Sequence, residues 1–160
     1  MSTASKELLS QDISSELEEV IEGGWVVGPH GVLSLAALHD PELDMQVDHL
    51  EPFEVEYHRN EVWIPGDDLP VDREGYLTAI CVRALTFSLA ALAAARNLPG
   101  FDTLTAVIST GVDADWSTHG TTVKFFTRRG GYPNWFDDLE SFEIEAVALL
   151  EASDVITGTQ

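Results

Sequence analysis

The sequence predicts an α+β fold: a largely antiparallel sheet of about five to six strands packed against a long central helix, with amphipathic helices at the N and C termini. Three observations lead there. Residues 76–95 read YLTAICVRALTFSLAALAAA, an apolar stretch of helical length. Residues 103–110 and 121–128 are rich in β-branched and aromatic residues, as strands are. Strands and helices come in runs, without the strict alternation of a parallel α/β sheet. At 160 residues the chain suits a single domain, 1–160, that removes roughly 70% of its unfolded surface from water. Residues 1–4 and 153–160 are expected to fray.

The elements follow in order. Leu9, Ile13, Leu17, Val20 and Ile21 recur at helical spacing over 5–22, and Gly23-Gly24 ends the pattern. Trp25-Val26-Val27 and Val32-Leu33-Ser34-Leu35 flank the turn-rich Gly28-Pro29-His30-Gly31, which predicts a hairpin. A polar loop runs from His39 to about Glu51. Residues 53–58 alternate apolar and polar, Arg59-Asn60 supplies a turn, and 61–64 returns, which predicts a second hairpin. Asp72 caps the central helix, and Asn97 with Leu98-Pro99-Gly100 stops it. The strands at 103–110 and 121–128 are joined by the loop 111–120. Asp137 to Ala152 opens on acids and carries Leu139, Phe142, Ala146, Val147, Leu149 and Leu150 along one stripe, which predicts a C-terminal helix.

Two readings concern the central helix itself. Its length matches a membrane span, but Arg83 near its middle would cost about 2.5–3.5 kcal/mol there. The segment therefore reads as a core helix, with Arg83 paired to a carboxylate or snorkelling outward. Cys81, the only cysteine, is expected to be a buried small hydrophobe. A single cysteine forms no intramolecular disulfide, and the acids of residues 1–24 leave no apolar core for a signal peptide. Both fit a cytoplasmic protein.

Charge is the strongest functional signal. The chain carries 28 acids against 8 bases, a formal net charge of -20. Residues 1–70 hold 16 of the acids and only two bases, Lys6 and Arg59. Such a field repels nucleic acid and anionic membranes and attracts cations or a basic protein. In the predicted second hairpin, Val55, Tyr57, Val62 and Ile64 share a core-facing side, while Glu54, Glu56, His58, Glu61 and Trp63 share the outer one. With Asp67 and Asp68 these outer residues form the candidate partner-binding set: an aromatic anchor ringed by carboxylates.

Catalytic signals are weak beside this. Asp113, Asp115 and His119 share one loop but match no metal-ligand spacing, so no metal or cofactor is expected. His30, His39 and His49 stand singly. No phosphate-cradling glycine loop, nucleophile elbow or paired-cysteine zinc signal is present. Lys124, Arg128 and Arg129 followed by aromatics offer a phosphate- or nucleobase-binding alternative, although Asp137, Asp138 and Glu140 stand close enough to balance them. The class favoured is a non-enzymatic acidic binding or inhibitor protein. In composition alone it has the character of immunity proteins that block a basic toxin domain, such as a nuclease or another nucleotide-directed enzyme. A small metal- or phosphate-binding enzyme is the alternative. A third class is a salt-adapted protein of other function, since two Lys among eight bases also fits a salt-rich medium.

Overall fold

In the computed structural model, residues 13–45, 49–112, 118–130, 133–142 and 145–157 are described. Helix α1 (Ser15–Gly23) opens on Ser14, whose hydroxyl accepts the Leu17 N–H, and ends at Gly24, where φ is 69°. Strands β1 (Trp25–Val27) and β2 (Leu33–Leu35) pair antiparallel with Trp25 opposite Leu35. This is the first predicted hairpin. A single turn α2 (Pro41–Asp44), helix α3 (Pro52–Arg59) and strand β3 (Glu61–Trp63) follow. The long helix α4 (Arg73–Ala94) then leads to β4 (Leu104–Val112), β5 (Thr118–Thr127), β6 (Ala146–Glu151) and α5 (Ala152–Thr157). The fold is α+β as expected. Among the described residues, six strands divide into the β1–β2 pair and a four-stranded antiparallel sheet in the order β3-β5-β4-β6.

Helix α4 starts where Asp72 accepts the Gly75 N–H at 2.8 Å. By length and composition it could cross a membrane. Here it packs against β4, β5, α1 and α5. Ile80, Ala84, Phe87, Ala91 and Leu92 are fully buried with Leu104, Ala106, Val123 and Phe125 of the sheet. Each large side chain so placed contributes about 1.5–3 kcal/mol. Arg83 is buried as well. Its guanidinium grips both carboxylate oxygens of Asp68 at 2.8 Å and donates to the Pro65 carbonyl, so the charge finds the carboxylate partner it was expected to need. Cys81 does not follow expectation: it lies on the exposed side of α4 with Val82 and Leu85, while the side bearing Ile80, Ala84, Phe87 and Ala91 is buried.

Two segments differ from their sequence reading. Residues 53–58 are helix, not strand. Pro52 occupies the first helical turn, where its missing N–H costs nothing, and Phe53 and Tyr57, one turn apart, pack on Phe126 of β5. The apparent two-residue alternation arises because Val55 and Glu56 are buried too, on other sides of the helix. Consequently Glu61 pairs with Lys124, Val62 with Val123 and Trp63 with Thr122, in place of partners within 53–58. Residues 137–152 are not one helix either. Short 3-10 turns at Trp135–Asp137 and Leu139–Ser141 precede β6, and α5 begins only at Ala152. The Ala- and Leu-rich run Ala146–Glu151 has helical propensity, overridden by a ladder along β4 from Thr110↔Ala146 to Thr105↔Glu151.

Side chains of α3 and its end join the two sheets. Glu56 is 0% exposed. Its Oε1 accepts the Leu33 N–H of β2 at 2.9 Å, and its Oε2 accepts the N–H and hydroxyl of Thr127 in β5, each at 2.7 Å. Asn60 accepts the Leu35 N–H at 2.9 Å and donates to the Leu33 carbonyl at 2.7 Å. These groups take the place of a strand's backbone where β3 is too short to reach.

Candidate partner-binding site

The face of the four-stranded sheet away from α4 carries Glu61 and Trp63 of β3, Thr122, Lys124 and Phe126 of β5, Val107 and Ser109 of β4, and Val147 and Leu149 of β6, because side chains alternate along each strand. One end of this face is roofed. Phe53 and Tyr57 from α3, with Phe136, Leu139 and Phe142 from the 3-10 turns, pack on Phe126, Val147 and Leu149. The other end is open and forms a cleft of about 260 Å³ between Trp63 and Tyr57 on one side and Glu145 and Val147 on the other. Trp63, Thr122, Ser109 and Val147 lie in one row across it.

Trp63 is the centre of the site. It is 62% exposed on an edge strand, with one face of its ring over Gly120. A Cβ at Gly120 would overlap that ring, and φ there is +74°, so glycine serves both space and backbone. On its far side Trp63 borders a second cleft, about 670 Å³, lined by Glu16, Asp67, Leu69, Pro70, Val71 and Tyr76 among others. Val71 is 98% exposed. The tryptophan thus stands between two hollows, each with apolar walls and two carboxylates: Glu61 and Glu145 in one, Glu16 and Asp67 in the other.

The cation within reach is already engaged. Lys124 lies 3.5 Å from Glu61 and 4.2 Å from the Tyr57 ring centroid. Burial foremost, then the charges of Glu61 and Glu145, push the Tyr57 phenol above its ordinary range. Glu145 also accepts a hydrogen bond from the Ser109 hydroxyl. An aromatic anchor with apolar neighbours and an excess of carboxylates is suited to a cationic side chain on a protein surface.

Of the residues anticipated from sequence, Glu61, Trp63 and Asp67 come together here. Glu54 and His58 are exposed on α3, outside both clefts. Glu56 points inward, so it offers no surface to a partner. Burial pushes its carboxyl above the ordinary range, against the lowering effect of its Leu33, Thr127 and Arg129 contacts. Asp68 is exposed but committed to Arg83, whose hydrogen bonds hold it down to about 2. Glu16, Glu145, Leu69, Val71 and Tyr76 were missed. Leu69 and Val71, two apolar residues in an acidic Pro-bounded loop, were the one local signal.

The bases Lys124, Arg128 and Arg129 do not converge. Lys124 pairs with Glu61, Arg128 with Asp137 at 2.5 Å, and Arg129 with Glu56 at 3.3 Å. Asp113 and Asp115 lie outside the described residues, as does the His119 side chain. Among the described residues no group of three His, Cys, Asp or Glu is placed to hold a metal ion. Comparison with family models, curated proteins and solved structures finds no match.

Proposed function

We propose that this chain is a non-enzymatic acidic binding protein that occludes a basic protein, acting in the cytoplasm as an immunity protein does against a toxin domain such as a nuclease. One observation carries the reading: Trp63 is exposed on an edge strand between two clefts that hold four carboxylates. Trp63 shares its exposed surface with Leu69, Pro70 and Val71; an apolar patch rimmed by polar groups is the character of an interaction surface, and the surrounding acids select a partner of opposite charge. The net charge of -20 would steer that partner from a distance and speed encounter at low salt.

The partner to test is the basic C-terminal domain of a large secreted protein, should the adjacent gene encode one. Co-expression with this chain is expected to restore viability, and purified components to associate with nanomolar Kd. The association rate should fall about tenfold or more between low and high salt. Trp63→Ala, and separately Glu16→Lys with Asp67→Lys, should each weaken binding by about 2 kcal/mol or more without lowering the melting temperature. An association rate indifferent to salt counts against the proposal. So does a Trp63→Ala variant that melts early yet binds normally.

A further inference from the structure

The two edges of the four-stranded sheet are unlike. At one edge β3 has three residues, carries the Glu61–Lys124 pair and runs into Pro65. Shortness, charge and proline are the usual means of blunting an edge. At the other edge β6 reads Ala-Val-Ala-Leu-Leu-Glu and pairs with β4 without a bulge. None of those devices interrupts residues 146–150, and charge stands only at the ends, at Glu145 and Glu151.

The direction of its backbone groups follows from the register. Arg128 N–H donates to the Thr103 carbonyl at 2.9 Å, which turns the odd-numbered residues of β4 toward β5 and the even-numbered ones toward β6. Through the pairing Ile108↔Ala148, residues Ala146, Ala148 and Leu150 face β4. Val147, Leu149 and Glu151 therefore present their N–H and C=O groups outward. The Glu151 N–H is taken by the Asp154 carboxylate at 2.8 Å. Among the described residues, Val147 and Leu149 have no backbone partner on that side.

Charge selects the occupant. Glu145 and Glu151 bracket the uncharged stretch 146–150. If a second copy of this strand paired antiparallel about Ala148, Glu145 of each chain would face Glu151 of the other, and like charges directly opposite destabilise a sheet. Glu151 already has Arg128 at 4.0 Å and Glu145 accepts from Ser109, but both carboxylates remain exposed, so a strand with bases at those two places adds attraction at both. Glu145 also lines the Trp63 cleft, so the edge is continuous with the site described above. We infer that the open edge of β6 is a strand-addition site for an extended segment of a basic protein, whose backbone pairs with Val147 and Leu149 and whose Lys or Arg side chains lie beside Glu145 and Glu151. This inference rests on the proposed function and names the form in which the partner binds.

Amide hydrogen exchange of the full chain, with the peptide Lys-Val-Thr-Val-Thr-Val-Lys as probe, tests it. Exchange at Val147 and Leu149 should slow at least tenfold with added peptide, while Ala148, already in the β4 ladder, changes little. The same peptide with Glu in place of both Lys should give no slowing. Val147→Pro removes an outward N–H, which an edge strand tolerates, and trims a side chain packed in the Phe126–Phe136 cluster; it should weaken the peptide at least tenfold. Should that variant misfold, Glu145→Lys with Glu151→Lys serves instead, and is expected to reverse the preference between the two peptides. Unchanged exchange at both amides overturns the inference. So does slowing that appears without peptide and grows with protein concentration, the mark of a second copy. Binding of the basic toxin domain without protection of these amides would sink the edge alone and leave the Trp63 reading standing.

Discussion

Glu56 shows how much one side chain decides in this molecule. Its two oxygens receive the backbone N–H groups of Leu33 and Thr127 and the Thr127 hydroxyl, with Arg129 at 3.3 Å. Glu56→Gln keeps the shape but turns an amide NH2 toward donors, and should cost about 1–3 kcal/mol in urea unfolding. Glu56→Ala, which leaves buried donors bare and a cavity, should cost about 3–5 kcal/mol. The pH dependence has a definite sign. Burial raises this carboxyl above 4.5 in the folded chain, so its contribution is fully present below the unfolded value and is lost as pH rises through the folded one. The penalty of the Gln variant should therefore be larger at pH 4 than at pH 7. Sequence reasoning placed Glu56 on an outer surface because the alternation over 53–58 reads as one strand of a hairpin, whereas the segment is helix. The donors that make its burial tolerable, Leu33 and Thr127, are far away in sequence, and no local pattern announces them.

At the scale of elements, local signals served where they were strong and unopposed. Asp72 capping α4, the Gly28–Gly31 turn between β1 and β2, and the β-branched runs of β4 and β5 were all legible. They failed where tertiary contacts override propensity, in α3 and in β6. Of the site, the edge-strand residues Glu61 and Trp63 were legible, whereas Glu16 and Glu145 reach it only through folding. The loop between β3 and α4 is another long-range construction, fixed by Arg83 to Asp68 and to Pro65. Arg83's hydrogen bonds lower the Asp68 carboxyl to about 2 from 3.8, so this tie contributes above the unfolded value and is lost as pH falls through the folded one. Asp68→Asn should flatten the loss of stability between about pH 4 and pH 2 in an acid titration followed by circular dichroism.

Over the whole molecule the excess of acids opposes compaction, because like charges repel more strongly when folded than when extended. Added salt should therefore raise the melting temperature modestly while it weakens a basic partner, so stability and affinity move in opposite directions along one titration. A protein built for a salt-rich medium would instead lose its fold as salt is withdrawn, and scanning calorimetry from low to molar salt separates the two. The attachment of β1 and β2 has a further consequence, for motion. That hairpin shares no backbone ladder with the four-stranded sheet and is hydrogen-bonded to it through the side chains of Glu56, Asn60 and Arg129. Apolar packing nevertheless holds it in place: Leu33 and Leu35 are fully buried, Trp25 packs edge-on against Phe125, and its indole N–H donates to the Ala91 carbonyl. The hairpin therefore opens only with the core, and the Leu33 and Leu35 amides, held by Glu56 and Asn60, should exchange as slowly as those of β4 and β5.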